Sequence, residues 1–526
     1  MPVRATLNNL RTNGGATRLL LAFWFSMVGL LGIWPALTNG QPFFFADSTA
    51  YVRGADLAMS KLFGSRFATS WAKDQRREIA MEASGTRSEL AAPGQKPAQR
   101  TLLAGRSIIY GALLYLGALT GGMWFPIIVQ SLVMVYLVSL FILRVLGLDF
   151  GYFLISCGVL FLASPLPFYV SNLMPDVFAG LLILGFAMLA TGWDRLSNRD
   201  RAITTAVLLF AVLSHRSHGI LLIGLTALTA TYLGLTDLSH WRRIRGLVSI
   251  TAICALMALL WEFAFSVGVS RAVGTPLVQP PFVTARLTSL LDKPAISQAC
   301  ASNAFAVCKF RDRLPVDSDS FLWSEDQHTA VFSVADAQTK RVLGEEQLRF
   351  ALAVIPPNLG RVVSGVLHES LRQLTFFGLD EYYYSAEGLA FFESRLPNQD
   401  FRRMSSSSAA GSRIYVMFGR TVLYVSAVLS AALIVGLASG ALRARSEKRS
   451  EQESVWRAAT YILLAGIVLN AIICGGLTSV NNRYQARVVW LVQLSAITGI
   501  CVMRPFLRVA SLFKPKSEER IAVSQG

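Results

Sequence analysis

The sequence predicts an all-α polytopic membrane protein with about ten transmembrane helices and an outer-face loop region of mixed structure. Of its 526 residues, 53% are hydrophobic and only 15% are charged, and the mean hydropathy is +0.47, more apolar than a water-soluble core requires. The apolar residues form runs, several of them near the roughly 20 residues that a helix needs to cross a bilayer. The net charge of +17 comes from short Lys and Arg clusters between these runs, which is typical of membrane topology, so nucleic acid is not expected as a partner.

Residues 1–39 are predicted to be an N-terminal tail and the first transmembrane helix. Arg4, Arg11 and Arg18 precede an apolar run from Leu19 to Leu37. This arrangement resembles a signal peptide, but no small-residue cleavage site follows it. We therefore expect a retained signal anchor with its N-terminus in the cytoplasm.

Residues 40–122 are predicted to be the first outer loop, with amphipathic and re-entrant helices. The charged part from Trp71 to Ser88 is typical of a surface helix, and the Gly-rich run from Gly105 to Thr120 is short for a span. If that run does not cross, every basic short loop falls on the cytoplasmic side. If it crosses, most of the basic loops lie outside, against the positive-inside rule, so we expect a re-entrant or interfacial piece.

The remaining units follow from the other apolar runs. Residues 123–269 are predicted to hold transmembrane helices 2 to 7, residues 270–412 a long outer (periplasmic) loop, residues 413–505 helices 8 to 10, and residues 506–526 a cytoplasmic tail. Both termini are then cytoplasmic in a multi-pass protein of a bacterial inner (plasma) membrane. The run from Ala202 to Leu213 is too short for an upright span, so the turn after it is expected to dip into the membrane.

Two acids are the candidate catalytic residues. Asp47 follows the first span directly and lies beside aromatic residues that suit the interface, where a carboxylate can accept a proton from a hydroxyl nucleophile. It also fits a helix N-cap, and both roles are compatible. Asp176 follows Pro175 at the outer start of a span, where it serves either a site or the helix N-terminus.

Six further residues are candidates for substrate binding, because guanidinium and imidazole groups on the outer side suit an anionic ligand. They are Arg53, His215, His218, Arg483, Tyr484 and Arg487. For the arginines the alternatives are pairing or snorkelling at the lipid headgroups, and for the histidines a solvated loop. Two histidines without a nearby Cys or carboxylate motif give no metal site, so a divalent metal is possible but not indicated.

Three other residues carry separate expectations. Cys300 and Cys308 can close a small disulfide ring in the long outer loop if its compartment is oxidising. Glu262 lies inside an apolar run and is a functional candidate by default, although it can also pair with a neighbouring span.

The pattern resembles the GT-C class of integral-membrane glycosyltransferases. The matching features are an acid in the first outer loop (Asp47), a large amphipathic segment before the second crossing, a second acid at an outer helix start (Asp176), and Arg483–Tyr484 before the last crossing. The resemblance implies a lipid-linked sugar donor on polyprenyl phosphate, a cell-envelope glycan, lipid or protein as acceptor, Asp47 as the base, and arginines on the lipid phosphate. The usual acidic pair of the first loop is not evident.

Two alternatives from other classes are kept. A membrane transporter or lipid flippase would use Glu262 and the histidines as coupling groups, and inverted repeats with interrupted helices would favour it. A non-catalytic envelope assembly protein would use its long loop to bind partners.

Overall fold

The computed structural model describes the following residues: 15–72, 106–120, 122–236, 241–273, 277–324, 326, 328–443 and 450–503. Every regular element in these ranges is helical, apart from isolated bridge residues, of which Phe43 and Asn172 pair with each other. Most of the predicted surface helix from Trp71 to Ser88, and the predicted tail at 506–526, lie outside these ranges.

Within the described residues, the chain up to residue 273 forms short and long helices in alternation. They are α1 (Gly15–Leu31), α2 (Trp34–Asn39), α3 (Ala46–Phe63), α4 (Ile108–Leu119), α5 (Trp124–Val145), α6 (Phe150–Ala163), α7 (Leu166–Val170), α8 (Val177–Thr191), α9 (Asn198–Ser214), α10 (Arg216–Thr236) and α11 (Trp241–Val273). Local chemistry sets several of these boundaries. Ser197 and Asp200 form a reciprocal capping box at the start of α9. Gly40 ends α2 with a φ of +82°, a conformation that a residue with a Cβ rarely adopts.

The rest of the chain forms a helical loop segment and three long helices. The helices are α12 (Phe282–Leu290), α13 (Lys293–Ser302), α14 (Ser318–Trp323), α15 (Ala337–Glu345), α16 (Gln347–Val354), α17 (Leu359–Thr375), α18 (Ala386–Glu393), α19 (Asn398–Ser405), α20 (Ser408–Gly411), α21 (Ile414–Ser439), α22 (Glu451–Gly476) and α23 (Asn482–Met503). The regular elements in the described part of the long loop are helices, joined by turns and irregular stretches, so the mixed structure expected there includes no strand.

The chain is an all-α membrane protein, but its helices do not support ten crossings. Among the described residues six helices are long and apolar enough to span a bilayer, namely α5, α10, α11, α21, α22 and α23. Four other apolar stretches form helices of 10 to 17 residues. The apolar run from Tyr152 to Tyr169, which counts as one of the predicted transmembrane helices 2 to 7, is broken after Ala163 into α6 and α7, because Pro165 and Pro167 interrupt the backbone hydrogen bonds. The apolar run after Ala202 belongs to α9, which begins with polar residues.

Helix α8 is the centre of the bundle. All of its residues from Val177 to Ala190 are buried, which explains why its sequence is apolar on every side. It packs against α9, α10, α22 and α23. Gly180 lets α8 approach α23 closely, because a Cβ at this position would lie 2.5 Å from the Trp490 indole nitrogen. The close approach brings the start of α8 next to the first turns of α23.

The segment from 277 to 412, called the loop segment below, has its own hydrophobic core around Phe321, Val331 and Phe350. A disulfide joins Cys300 to Cys308, with their Cα atoms 5.6 Å apart. Arg286 connects the loop segment to the end of α22 by two hydrogen bonds. Its Nε donates to the Gly476 carbonyl (2.9 Å), and its Nη2 donates to the Gly475 carbonyl (2.6 Å). The loop segment is therefore held against the end of the bundle at which α22 ends and α23 begins.

Candidate functional site

The first loop and the loop before α8 pair through their backbones. The Phe43 amide donates to the Ser171 carbonyl (3.0 Å), and the Leu173 amide donates to the Phe43 carbonyl (2.9 Å). The Ser48 hydroxyl adds a hydrogen bond to the Leu173 carbonyl (2.8 Å). This pairing holds the loop that carries Asp47 beside the loop that carries Asp176.

Asp47 lies in the first turn of α3 and forms an ion pair with Arg106, whose Nη2 is 2.5 Å from the Asp47 Oδ1. Both side chains are partly exposed. Arg106 directly precedes α4, and α4 packs against α3 where Gly111 meets the Tyr51 carbonyl. Arg106 was not among the predicted site residues. The signal was present, since this loop is predicted to lie on the outer side and a basic residue there runs against the positive-inside rule.

Asp176 lies at the start of α8 and is buried with two arginines of α23. The Arg487 Nη1 donates to the Asp176 Oδ1 at 3.0 Å, and the Arg483 Nε lies 3.8 Å from the same oxygen. Two guanidinium groups thus share one carboxylate. The next acid, Glu381, carries only part of a negative charge at pH 7 because its pKa is about 7, so a surplus of positive charge remains in a place where water is scarce. A buried net charge is costly unless a counter-charge compensates it, so this group, Asp176 with Arg483 and Arg487, favours an anionic ligand.

The hydrogen bonds of the two arginines distinguish their roles. Arg487 Nη2 donates to Asn470 Oδ1 (3.0 Å) and lies 3.1 Å from the Cys474 sulfur, so this side chain is fixed in place. Arg483 is held by ring faces instead, with its guanidinium carbon 4.2 Å from the centre of the Phe45 ring and 5.1 Å from that of Tyr484.

Several donors of this group have no acceptor. The Nε and Nη1 atoms of Arg483 and the Nε atom of Arg487 are buried and lack a hydrogen-bond partner within the described part of the chain. Buried N–H groups are nearly always paired in folded proteins, so unpaired ones mark a place where a ligand can accept. Asn470 and Cys474, which lie in an apolar run, were not predicted as part of this site.

The Tyr51 phenol shows that these charges converge. Burial raises the pKa of Tyr51, the charges of Asp47 and Asp176 raise it further, and those of Arg106 and Arg483 lower it. Groups from α3, from the start of α8, from the residue before α4 and from α23 therefore act on one hydroxyl. Asp47 and Arg483, which lie far apart in the sequence, belong to the same end of the molecule.

His215 and His218 lie at the turn between α9 and α10, with ring centres 5.2 Å apart. The His218 Nδ1 donates to the Ala211 carbonyl (2.8 Å), and its buried Nε2 has no partner among the described residues. Burial, followed by the charges of His218, Arg487 and Arg106, lowers the pKa of His215 well below its ordinary value. His215 is therefore neutral at pH 7 and can act as a hydrogen-bonding group.

Two predicted residues do not join the charged group. The Arg53 Nη2 donates to the Arg395 carbonyl (2.6 Å) and so connects α3 to the loop segment. Glu262 forms an ion pair with Arg216, and both side chains are about half exposed. The possibility that Glu262 pairs with a neighbouring helix is the one the structure supports.

Glu381 is a site residue that the sequence reasoning missed. It lies in a short 3₁₀ helix, Asp380–Tyr382, whose Asp380 accepts hydrogen bonds from Arg420 and Asn482. Burial raises the pKa of Glu381 to about 7, Arg483 lowers it, and Asp176 and Asp380 raise it. A charged residue in a long loop gives no sequence signal for such an environment.

Glu381 should make the stability of the protein depend on pH. Because its folded-state pKa is raised from 4.5 to about 7, the folded state binds a proton more tightly than the unfolded chain. The stability gained from this proton is complete below about pH 4.5 and is lost as the pH rises through 7. We expect the thermal midpoint of Glu381→Gln to fall less between pH 5 and pH 8 than that of the unmodified protein, measured by tryptophan fluorescence in detergent. Glu387→Gln, at an exposed acid, is the control variant. If the thermal midpoints of Glu381→Gln and of the unmodified protein change in parallel with pH, the prediction is wrong.

A groove of about 380 Å³ lies beside the charged group, between the α9–α10 turn and α11. Its polar end contains Arg106, His215 and Gln279, together with the ion pair described above. Its walls are apolar and include residues that are 49 to 67% exposed, on faces of α10 and α11 that would meet lipid: Ile220, Ile223 and Leu259. Arg106 belongs both to the groove and to the ion pair with Asp47, so the polar end of the groove leads to Asp47.

No group of three or more His, Cys, Asp or Glu side chains that could hold a metal ion occurs in the ranges that the structure describes. Comparisons of the chain with protein-family models, with curated proteins and with solved structures each give no match. Function is therefore inferred from the site itself.

Proposed function

We propose that this protein is a glycosyltransferase of the GT-C type, which moves a sugar from a polyprenyl-phosphate carrier to a cell-envelope acceptor on the periplasmic face of a bacterial inner membrane. One observation carries the proposal: a groove with exposed apolar walls, which would meet lipid, ends at Arg106, the partner of the Asp47 carboxylate, and the buried arginines of α23 lie at the same end of the molecule. A lipid-linked sugar phosphate is a molecule that needs both kinds of surface.

Each part of such a donor has a counterpart in the site. The isoprenoid chain would lie against Ile220, Ile223 and Leu259, which leave the groove open toward lipid. The phosphate would lie at the polar end against Arg106. The proposal also requires its oxygens to reach the unpaired donors of Arg483, a residue that does not line the groove. The sugar would then be close to Asp47, which faces Arg106.

In the proposed reaction the acceptor hydroxyl attacks the anomeric carbon of the sugar. The Asp47 carboxylate takes the hydroxyl proton, the new glycosidic C–O bond forms, and the bond between the anomeric carbon and the phosphate oxygen breaks. The carrier phosphate leaves with the bonding electrons and gains negative charge, which Arg106 and Arg483 stabilise. Most of the catalysis is then positioning and charge stabilisation.

The Asp47–Arg106 pair suits a change of partner during this reaction. Arg106 neutralises Asp47 and also lines the groove in which the proposal puts the phosphate. A phosphate that draws Arg106 away leaves Asp47 as a stronger hydrogen-bond acceptor for the incoming hydroxyl. The base would thus be released only when the donor is bound.

The transporter alternative has less support. Its expected coupling acid, Glu262, is paired with Arg216 and half exposed rather than buried alone in the bundle. No observation favours the assembly-protein alternative over the enzyme.

The test of the function is turnover of a radiolabelled polyprenyl-phosphate sugar in proteoliposomes. Narrowing the groove with Ile223→Trp should raise the KM for the lipid donor about tenfold, the equivalent of ~1.4 kcal/mol of binding free energy. Ile253→Trp is the control, because Ile253 is an equally exposed apolar residue, on α11, that does not line the groove. Absence of turnover with every envelope acceptor tried, or an equal KM in both variants, would count against the proposal.

A further inference from the structure

Helix α17 of the loop segment carries an apolar stripe that nothing in the described chain covers. The stripe consists of an apolar residue at every fourth position, each 48 to 67% exposed: Leu359, Val363, Leu367 and Leu371. Residues four apart lie on one face of a helix, so the four side chains form one continuous surface. A ridge of this kind marks an interaction site.

A second face of α17 fixes the helix to the end of the bundle. It packs against Gly475 at the end of α22, where a Cβ would lie 2.5 Å from the Glu369 carbonyl oxygen. Gln373 also exchanges hydrogen bonds with the backbone of Asn481 just before α23, at 2.8 and 2.9 Å. Because α22 and α23 are candidate spans, α17 lies where two membrane-spanning helices end.

The third face of α17 is polar, with Arg361, His368 and Arg372. Going around the helix, the order is protein contact, apolar stripe and basic face, each covering roughly a third of the 3.6-residue turn. A helix that lies along a membrane surface has this pattern, with the apolar side toward the acyl chains and basic residues toward the headgroups.

Exposed apolar residues on the preceding helix, α16, also indicate a location at the membrane surface. Leu348 and Leu352 are exposed on it, and together with the stretch from Pro356 it is apolar enough to qualify as one membrane element, bent by 47°. However, Phe350 and Val354 of α16 are buried in the core of the loop segment, so this pair of helices does not run straight through a bilayer.

We propose that α17 lies in the surface of the bilayer, with the stripe from Leu359 to Leu371 among the acyl chains of the leaflet at which α22 ends. The exposed apolar residues Ile472 and Leu477 flank the contact between α17 and α22, so the stripe continues the lipid-facing surface of that span. The occupant is phospholipid, and the loop segment is anchored by a helix that does not cross. This inference does not depend on the proposed enzymatic activity.

The experiment is site-directed spin labelling in nanodiscs of phosphatidylethanolamine and phosphatidylglycerol. The four free cysteines are buried and the other two form the disulfide, so a nitroxide reagent should react mainly with an introduced cysteine. Leu367→Cys probes the stripe, His368→Cys is the matched control on the neighbouring face, and Val363→Cys is a second stripe position. The label's collision rates with oxygen, which concentrates in lipid, and with a water-soluble nickel chelate are compared.

We expect oxygen collisions to exceed nickel collisions several-fold at Leu367→Cys and Val363→Cys, and the reverse at His368→Cys. Equal nickel access at all three positions would show that the stripe faces water and would overturn the proposal. Protection of the label from both reagents, with dipolar broadening that grows with the number of chains per disc, would show that the stripe contacts a second copy of the protein. This result would also overturn the proposal.

Discussion

Replacing Asp47 with Asn is expected to lower the turnover number for sugar transfer by about 10²- to 10⁴-fold, the range that a positioned general base contributes. Asparagine keeps the size of the side chain but cannot take the proton of the acceptor hydroxyl. The Asp47–Arg106 pair is partly exposed, so its loss should cost at most about 1 kcal/mol of folding free energy. Turnover and the thermal midpoint should be measured on the same preparation.

Two controls make this result specific. Asp194→Asn removes an equally charged side chain that is 84% exposed and pairs with Arg243 away from the site, and it should leave turnover unchanged. Asp47→Glu keeps a carboxylate at a slightly different position and should retain part of the activity. Full turnover by Asp47→Asn would remove Asp47 from the catalytic role.

Replacing Arg483 with Gln should lower kcat/KM for the lipid-linked donor by about 10²- to 10³-fold, the loss seen when one group that stabilises transition-state charge is removed. Its buried Nε and Nη1 have no acceptor within the described residues, so their hydrogen-bonding capacity is left for a ligand. Asp176 keeps its 3.0 Å bond to Arg487 in this variant, and the fold should survive. The measurement is initial-rate kinetics in proteoliposomes, with thermal unfolding alongside.

Arg487→Gln is the contrasting variant. Arg487 is fully buried and bonds Asp176 and Asn470, so its removal breaks a buried network and should lower stability by about 3 kcal/mol or more. Arg341→Gln, on the exposed surface of α15, should change neither property. Suppose that the unmodified protein turns over the donor and that Arg483→Gln keeps kcat/KM within about threefold of it. The phosphate of the donor is then bound elsewhere.

Much of the local structure could be predicted from residue patterns. The apolar runs gave long helices such as α5 and α22, and the stop at Gly40 followed by Asp47 matches the end of α2 and the first turn of α3. The number of crossings could not be predicted this way. An apolar run has the same composition whether it spans lipid or is buried in protein, and α8 is of the second kind, enclosed on all sides by its neighbours.

The site could be predicted only in part, for a related reason. Asp176, Arg483 and Arg487 stood out as charges beside apolar runs, where desolvation makes any charge conspicuous. Glu381 and Asn470 did not, because their roles depend on which distant chain segments lie next to them. Arg106 carried a sequence signal as a basic residue in a predicted outer loop, but its partner Asp47 is defined only by the fold. The Arg53 side chain, which looked equivalent to the other arginines, donates instead to the carbonyl of Arg395.

The sequence by itself determined that this chain is a helical membrane protein and which acids and arginines sit at the ends of its apolar runs, because the hydrophobic effect acts on composition and periodicity along the chain. The tertiary structure alone decided that Asp176 shares two arginines, that Asp47 faces Arg106 and that a groove with exposed apolar walls ends at Arg106. Those relations depend on close packing between helices, as where Gly180 admits Trp490, and on hydrogen bonds between segments more than a hundred residues apart.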